Sequence, residues 1–201
     1  MEQLLEDERR LPTANETQLK ISADFIDTPL GLMVVCATEK GVCLLEFLKD
    51  EGTSFDFSHL EKKLKGRVTA GINSHIVQVR QELAEYFSGK RTQFDVSLHK
   101  VGTEFQMMVW KNLQKISYGE TSTYLKQARE SGNEKAVRAV ASANGHNKIA
   151  IIVPCHRVIG GNGKLSGYAW GIDRKRKLLN FEQRNTGKSG LSLFDELDWI
   201  Q

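Results

Sequence analysis

One cysteine of this chain stands in a sequence that could make its thiol reactive. Cys155 follows Pro154 and precedes His156 and Arg157, at the end of the apolar run 149–153. Proline cannot donate a ladder hydrogen bond, so we expect it to end a strand and to fix the backbone that presents the thiol at the edge of a pocket. A buried structural cysteine is the competing interpretation, and the cysteine alone does not decide between them.

The composition is that of a folded protein with a substantial core. The chain has 201 residues, of which 40% are hydrophobic, enough for one large or two small domains. Its three cysteines and five histidines show no zinc-ligand spacing, so we expect a reducing compartment, no metal and no cofactor. Residues 1–8 are acidic and lack a signal-peptide core, and no apolar run reaches the roughly 18 residues of a membrane span. We therefore expect a cytoplasmic protein with no membrane partner.

Charge is unevenly distributed along the chain. The formal charge is −3 over residues 1–100, +9 over residues 101–188 and −3 over residues 189–201. A basic module commonly neutralises phosphates, so the middle segment favours nucleic acid as a partner. A solvated basic surface without a partner gives the same sum, and the charge alone does not exclude it.

Residues 20–98 are predicted to form a small α+β domain, preceded by a charged extension over 1–19. Three β-rich segments joined by turn signals predict a meander: 20–27, 32–38 and 42–48. Apolar side chains at helical spacing predict a helix that ends at Ser88-Gly89, and 92–98 is predicted as another strand. No catalytic constellation is visible in this domain, so we interpret its apolar positions as core.

Residues 103–184 are predicted to form a second, mostly helical domain. A capping-box pattern at Thr103 predicts the start of its first helix. A helix near 122–130, a turn that contains Gly132 and a helix over 134–144 have the arrangement of a helix-turn-helix. The last of these helices consists almost wholly of small side chains, which either pack tightly against neighbouring helices or let the helix lie close to nucleic acid. Both interpretations can hold on opposite faces.

The sequence around the thiol resembles a known family. The residues that carry the similarity are 136–144, Asn147, 151–158, the loop 163–168, Gly171 and Glu182. They resemble the O6-alkylguanine-DNA alkyltransferases, most closely the catalytic C-terminal domain of Ada-type proteins. The similarity is strong over 103–184 and general over 20–98. It implies an α+β protein, with a small ribonuclease-H-like domain followed by a mostly helical, winged helix-turn-helix-like catalytic domain.

The resemblance implies that Cys155 takes the alkyl group from O6-alkylguanine in double-stranded DNA. A thiolate is a soft nucleophile towards an sp³ carbon, and the thioether that forms has no good leaving group, so each molecule would act once. Adjacent side chains usually diverge, so His156 is expected to reach the thiol through a water molecule. In the family, Glu182 would orient this histidine and Asn147 would hold the geometry.

Further positions match the family's contacts with DNA and with the substrate. By resemblance, Tyr124 assists rotation of the nucleotide and can donate a proton to the departing guanine, although a half-buried packing role explains a helix tyrosine as well. Arg138 would enter the stack where the base leaves, and Ala136 and Ser142 would face DNA beside it. The residues expected to line the alkyl-guanine pocket are Val158, Leu165, Tyr168, Ala169 and Trp170.

Two further residues carry expectations of their own, and the first, Trp170, departs from better-known relatives. The bulk of Trp170 should narrow the pocket, so we expect methyl adducts to be handled better than benzyl adducts. Arg157 is expected to form a structural ion pair and not a DNA contact.

Two other classes of protein share part of the pattern. A cysteine hydrolase would need an oxyanion hole and turnover, and it leaves the helix-turn-helix and the basic segment unexplained. A non-catalytic DNA-binding regulator or alkylation sensor explains those two features but not the cysteine and its neighbours.

Residues 185–201 are predicted to be a linker followed by an acidic tail. The segment 190–194 resembles the short Gln-Leu-Ser-Leu-Phe motif with which bacterial repair proteins dock on the sliding clamp, with Leu191–Phe194 as the contact. Gly190 replaces the glutamine, and short motifs match often by chance. The favoured interpretation is therefore an amphipathic C-terminus that packs back on the domain. We expect the protein to be a monomer.

Overall fold

The computed structural model describes residues 18–48 and 55–187. The chain divides into two units between Val101 and Gly102. The docking segment Leu191–Phe194 lies outside the described residues, as does the N-terminal extension up to residue 17. Both interpretations of the C-terminal tail therefore stay predictions.

The first unit is built on a four-stranded sheet with the strand order β3-β2-β1-β4. Strands β1 (Leu19–Ile26), β2 (Met33–Thr38) and β3 (Gly41–Phe47) form the predicted antiparallel meander. Strand β4 (Gly66–Ala70) pairs in parallel with β1 and is entered from helix α1 (Ser58–Leu64), which packs against it. The sequence analysis missed α1 and β4, because α1 is short and rich in charged side chains and β4 has only five residues.

Helix α2 (Ser74–Phe87) packs on β2 and β3 of this sheet. It ends at Ser88, where the sequence predicted its end. Its buried side chains recur at the helical spacing from which the helix was predicted, since one face of the helix covers the sheet.

The strand predicted over 92–98 is wrong. Within the described residues of this segment, Leu98 makes an isolated parallel bridge with Val42, and no longer ladder forms. The amide group of Asp95 donates to the buried carboxylate of Glu82 at 3.0 Å. A side chain thus takes a backbone donor that a strand would have used in the sheet.

The second unit is mostly helical and begins as predicted. Helix α3 (Glu104–Leu113) starts with a capping box, in which the hydroxyl of Thr103 accepts from the amide of Gln106 at 3.2 Å and the side-chain oxygen of Gln106 accepts from the amide of Thr103 at 3.0 Å. Two backbone donors that the helix leaves free are satisfied in this way. Farther along α3, Trp110 donates from Nε1 to the carbonyl of Ala143 at 2.9 Å, which ties the helix to the helix-turn-helix.

The predicted helix-turn-helix is present. Helix α4 (Tyr124–Glu130), a turn that contains Gly132 and helix α5 (Val137–Gly145) pack against each other. Thr123 caps α4, so Tyr124 is its first residue. The second helix starts later than predicted, because Glu134–Ala136 form a 3₁₀ turn before α5.

The apolar run 149–153 does not form the strand that was expected to end at Pro154. All five of its side chains are buried, but the backbone turns on itself, and the amide of Val153 donates to the carbonyl of Ile149 at 3.1 Å. Ile151 has a φ of 67°, a left-handed conformation that is rare for a β-branched residue. Such strain persists only where the surrounding packing enforces it.

Two short strands and a long helix complete the second unit. Strands β5 (Ser122–Thr123) and β6 (Val158–Ile159) pair in parallel, and helix α6 (Ile172–Asn185) follows the loop after β6. Within the ranges described, none of the helices has the length and apolar character needed to cross a lipid bilayer.

Candidate active site

The thiol of Cys155 lies at the start of a 3₁₀ turn, and the residue is 5% exposed. Asn147 holds it in place, because its Nδ2 donates to Sγ of Cys155 at 3.2 Å and to the carbonyl of Val153 at 2.8 Å. The Oδ1 atom of Asn147 accepts from the amide of Ile149 at 2.9 Å. One side-chain amide thus fixes both the thiol and the strained turn that precedes it.

Burial decides the protonation state of this thiol. It raises the pKa of Cys155 to about 11, although the hydrogen bond from Asn147 and the charge of Lys175 act in the opposite direction. At neutral pH the thiol is therefore protonated. Because the thiolate is the nucleophile, a nearby base must take this proton before the sulfur can react.

A fully buried carboxylate, Glu182, accepts four hydrogen bonds. His156 Nε2 lies 2.9 Å from Oε1, and Arg157 donates from Nη2 to Oε1 at 2.9 Å and from Nε to Oε2 at 2.8 Å. The amide of Gly119 donates to Oε2 at 3.1 Å. Burial alone would raise the pKa of Glu182, but His156 and Arg157 outweigh it and hold the pKa well below its usual range. The carboxylate is therefore ionised.

Arg157 forms the structural ion pair that the sequence predicted. Besides its two bonds to Glu182, it donates from Nη1 to the carbonyl of Ile116 at 2.7 Å. Its guanidinium also lies over the ring of Tyr118, 5.7 Å from the ring centre. These partners keep the cation inside the protein.

The ionised carboxylate fixes the tautomer of His156. Nε2 must carry the proton that is shared with Glu182, which leaves Nδ1 as an acceptor. Burial lowers the pKa of His156, although Glu182 acts in the opposite direction, so the ring is neutral at pH 7. Nδ1 is buried and has no hydrogen-bond partner among the described residues. The ring therefore presents a free base inside the protein.

A buried cation that the sequence analysis did not identify lies near the thiol. Lys175 is fully buried, and its Nζ donates to the carbonyls of Val158 at 2.5 Å, Ser166 at 2.8 Å and Gly167 at 3.3 Å. Burial lowers the pKa of Lys175 to about 8, against a smaller opposite effect of Cys155. The ammonium group is charged at neutral pH and connects β6 to the loop that follows it.

A signal for Lys175 was present in the sequence. The residue precedes Leu178 and Leu179 by three and four positions and Glu182 by seven, the spacing of one helix face. The sequence analysis assigned no role to the run of basic residues over 174–177. The buried face of α6 therefore escaped notice.

Cys155 opens on a cavity of about 170 Å³, which we call the thiol cavity. The residues that line it are Tyr124, Ala141, Asn144, Gly145, Cys155, Gly167, Tyr168 and Ala169. The thiol, the two tyrosines and Ala169 were predicted as site residues from the sequence. Ala141, Asn144 and Gly145 of α5 were missed, because small side chains and an amide on a helix carry no distinctive signal. Gly167 belongs to the loop segment 165–168 that the resemblance assigned to the pocket.

Three side chains predicted for the pocket do not line the thiol cavity. Val158 is fully buried in β6, and Trp170 is buried with its ring against the edge of Tyr168, the ring centres 5.0 Å apart. Leu165 lies in the loop ahead of the lining residues 167–169. The resemblance assigned the loop segment 165–168 to the pocket, and Gly167 and Tyr168 of this segment line the thiol cavity. Trp170 contacts the cavity only through Tyr168, and the limit on adduct size that we expected from its bulk stays a prediction.

Both tyrosines of the thiol cavity keep their protons at neutral pH. Tyr124 donates from its hydroxyl to the carbonyl of Ser166 at 3.3 Å, and the hydroxyl of Tyr168 is buried with no partner among the described residues. Burial raises the pKa of Tyr124 and of Tyr168. Each is therefore a possible proton donor.

Helix α5 uses its small side chains on both faces. Val140 and Ala143 are buried, as tight packing requires. The side chains of Arg138 and Ser142 are exposed, and Ala136 is half-buried in the turn before the helix. Apart from Arg138, the exposed positions of α5 carry only small side chains, which would let a flat or grooved partner come close: Ala139, Ala141, Ser142 and Gly145.

The two remaining cysteines lie in the sheet of the first unit. Cys36 and Cys43 are buried, and burial raises the pKa of both thiols, that of Cys43 to about 12. In the part of the chain that the structure describes, no group of three or more His, Cys, Asp or Glu side chains could hold a metal ion.

The charge of Lys175 should matter for the reactivity of Cys155. We expect Lys175→Met to slow modification of this thiol by iodoacetamide about tenfold, the effect of about 1.4 kcal/mol of lost thiolate stabilisation. The pH at which the reaction accelerates should shift upward. Lys111→Met, at an exposed position of α3, is the matched control. An unchanged pH profile in Lys175→Met would show that the lysine only supports the fold.

The buried neutral state of His156 should make the protein sensitive to acid. Its pKa is lowered in the folded state, so between that value and about 6.5 the unfolded chain binds more protons, and stability falls as the pH decreases. We expect His156→Gln to reduce this loss, as measured by urea unfolding on both sides of pH 6.5. Equal pH dependence in the two proteins would contradict the assignment of a neutral imidazole.

Both halves of the chain match a known family. Residues 21–99 match the ribonuclease-like domain of 6-O-methylguanine DNA methyltransferase, and residues 104–184 match the DNA binding domain of the same family. The α+β fold class predicted from the sequence, with a ribonuclease-H-like domain followed by a helical DNA-binding domain, is confirmed.

Similar proteins support the same assignment. The chain is 42% identical over 170 residues to the methylated-DNA--protein-cysteine methyltransferase of Mycolicibacterium paratuberculosis, with 85% of this chain and 96% of the relative covered. It is 40% identical over 167 residues to the bifunctional transcriptional activator/DNA repair enzyme Ada of Escherichia coli, with 83% of this chain and 47% of Ada covered. The crystal structure of Mycobacterium tuberculosis OGT in complex with DNA superposes with a TM-score of 0.71 at 40% identity, covering 88% of this chain and 99% of that one. The chain therefore belongs to the 6-O-methylguanine DNA methyltransferase family, as its sequence predicted.

Proposed function

We propose that this protein repairs DNA by moving the alkyl group of O6-alkylguanine in a duplex to its own Cys155, once per molecule. The observation that carries the proposal is the buried thiol at the thiol cavity, next to a neutral histidine with a free acceptor nitrogen. Alkyl transfer gives a use to the thiol, to the ionised carboxylate that orients the histidine and to the buried lysine near the thiol. A non-catalytic regulator or alkylation sensor is the alternative.

The proton of the thiol is the first requirement of the reaction. Nδ1 of His156 accepts it through a water molecule, and the imidazolium that forms is stabilised by Glu182, 2.9 Å from Nε2. The thiolate is stabilised by Nδ2 of Asn147, 3.2 Å away, and by the charge of Lys175. After the thiol proton has moved to His156, both the thiolate of Cys155 and the imidazolium of His156 therefore have stabilising partners.

The transfer itself exchanges one bond for another. Sγ of Cys155 attacks the alkyl carbon, the new S–C bond forms, and the C–O6 bond breaks with its electron pair left on guanine. The departing base needs a proton, which the hydroxyl of Tyr124 donates from the cavity wall. The resulting thioether offers no leaving group, so water does not restore the thiol and the protein is consumed.

The base must leave the duplex to reach this thiol. Cys155 is 5% exposed, and O6 of a stacked base cannot be approached in line by a protein nucleophile, so the nucleotide is extruded. The exposed side chain of Arg138 on α5 fills the gap in the stack, and Ser142 and Ala136 lie against the groove beside it. The net charge of +9 over residues 101–188 neutralises phosphates.

We also propose that the protein acts as a monomer in the cytoplasm, which rests on the sequence alone. Docking of the segment Leu191–Phe194 on a sliding clamp is the less favoured of the two interpretations of the C-terminal tail.

Mass spectrometry tests the reaction directly. After incubation with excess duplex that contains O6-methylguanine, we expect the protein to gain the mass of one methylene group on Cys155, with one lesion removed per molecule. Cys155→Ala should abolish transfer while leaving duplex affinity largely intact, because binding rests on the helix-turn-helix. An unmodified protein would support the regulator, and repair of many lesions per molecule would contradict single use.

Extrusion can be separated from chemistry through Arg138. Because extrusion costs a few kcal/mol, we expect Arg138→Ala to slow methyl transfer from duplex DNA by about tenfold or more. Transfer from the free O6-alkylguanine base should be unchanged. Arg129→Ala, which removes an exposed arginine of α4 paired with Glu134, is the matched control. Equal slowing on duplex and free base would show that Arg138 supports the fold instead.

A further inference from the structure

Asn144 is a buried amide on the wall of the thiol cavity. The residue is 5% exposed, occupies the second-last position of α5 and lines the cavity together with Cys155. Neither its Oδ1 nor its Nδ2 has a hydrogen-bond partner among the described residues. Since buried polar atoms of native proteins are nearly always paired, this amide calls for a partner that comes from the cavity.

Two other buried asparagines of the same unit, Asn147 and Asn112, are paired on both polar atoms, and the buried Gln127 is paired through its Nε2. Asn147, three positions later, uses its amide to bind the thiol and three backbone groups. Asn112 donates to Ser131 and accepts from Lys115. Asn144 therefore differs from them in having both polar atoms unpaired at the place where the substrate enters.

We propose that Asn144 reads the 2-amino edge of the extruded base and so selects guanine. A side-chain amide presents one donor and one acceptor side by side. O6-alkylguanine offers the complement, because its N2 amino group donates and the ring nitrogens beside C2 accept, N1 having lost its proton on alkylation at O6. Nδ2 then donates to a ring nitrogen while Oδ1 accepts from N2. This inference rests on the proposed function, since it takes guanine as the occupant of the cavity.

The same amide discriminates against O4-alkylthymine. That base carries a carbonyl oxygen where guanine carries the amino group, and its neighbouring ring nitrogen is also an acceptor. Oδ1 of Asn144 would stay buried and unpaired beside it, which is the arrangement by which a polar site rejects an analogue that lacks the expected donor. Selection by Asn144 acts on the base and not on the alkyl group.

The test compares two duplexes that differ only in the amino group, one with O6-methylguanine and one with O6-methylhypoxanthine. We expect the wild-type protein to transfer the methyl group from O6-methylguanine about tenfold faster or more. Asn144→Leu should lose most of this preference by slowing on O6-methylguanine alone. Asn112→Leu, which removes a buried amide away from the cavity, should keep the wild-type ratio of rates.

The thermal unfolding temperature distinguishes recognition of the base by Asn144 from a role of Asn144 in folding. Because the amide of Asn144 has no partner among the described residues, Asn144→Leu should not lower the thermal unfolding temperature. Three results would overturn the inference while leaving the proposed function intact. The wild-type protein could transfer methyl groups from both duplexes at equal rates, or Asn144→Leu could keep the wild-type ratio of rates. Asn144→Leu could also slow equally on both duplexes and lose stability. Failure of the wild-type protein to accept methyl from either duplex would overturn both.

Discussion

The second unit depends on the burial of one carboxylate. An ionised group without water must be surrounded by donors. Among the described residues, Glu182 has donors from Gly119 and from the neighbours His156 and Arg157, two segments that are distant in sequence. Two of these donors are neighbours in the chain, His156 and Arg157, so satisfying the carboxylate also fixes the turn that begins with Cys155. The position of the thiol and the tautomer of its base follow from the same set of hydrogen bonds. The hydrogen bonds that stabilise the buried carboxylate of Glu182 are therefore the same ones that position Cys155 and His156.

Helix α6 carries both charges on which the thiol cavity relies. Lys175 and Glu182 are seven residues apart, so they lie two turns apart on one face, with Leu178 and Leu179 buried between them. The lysine holds the carbonyls of the loop that supplies one wall, and the carboxylate holds the histidine behind the sulfur. A single rigid element therefore sets the distance between the wall and the base. Building a site on a helix gives a precision that loops alone do not reach.

The sequence predicted those parts of the fold that depend on local rules. The capping box at Thr103 and the helix-turn-helix were predicted correctly, because capping and helical spacing depend on residues that are close together in the sequence. The run 149–153 was misjudged, because a short apolar stretch indicates burial and not the backbone path that achieves it. Lys175 and Asn144 were missed for a related reason: whether a lysine or an amide on a helix is buried depends on partners from distant segments. The residues around Cys155 indicated a reactive thiol, and the resemblance to a family supplied the roles of His156 and Glu182. The resemblance also assigned Val158, Leu165 and Trp170 to the pocket, and these three do not line the thiol cavity.

Gly119 donates a hydrogen bond to Glu182 from its backbone amide, whereas His156 and Arg157 donate from their side chains. Replacing a side chain does not remove this backbone donor. Yet the position is closed to change, because its φ is 73° and a Cβ there would lie 2.5 Å from Cγ2 of Thr186. A related sequence that loses this glycine must shorten residue 186 and also tolerate a left-handed backbone. The end of α6 and the turn before β5 are therefore expected to vary together in evolution, as a correlated pair that touches neither the substrate nor the thiol.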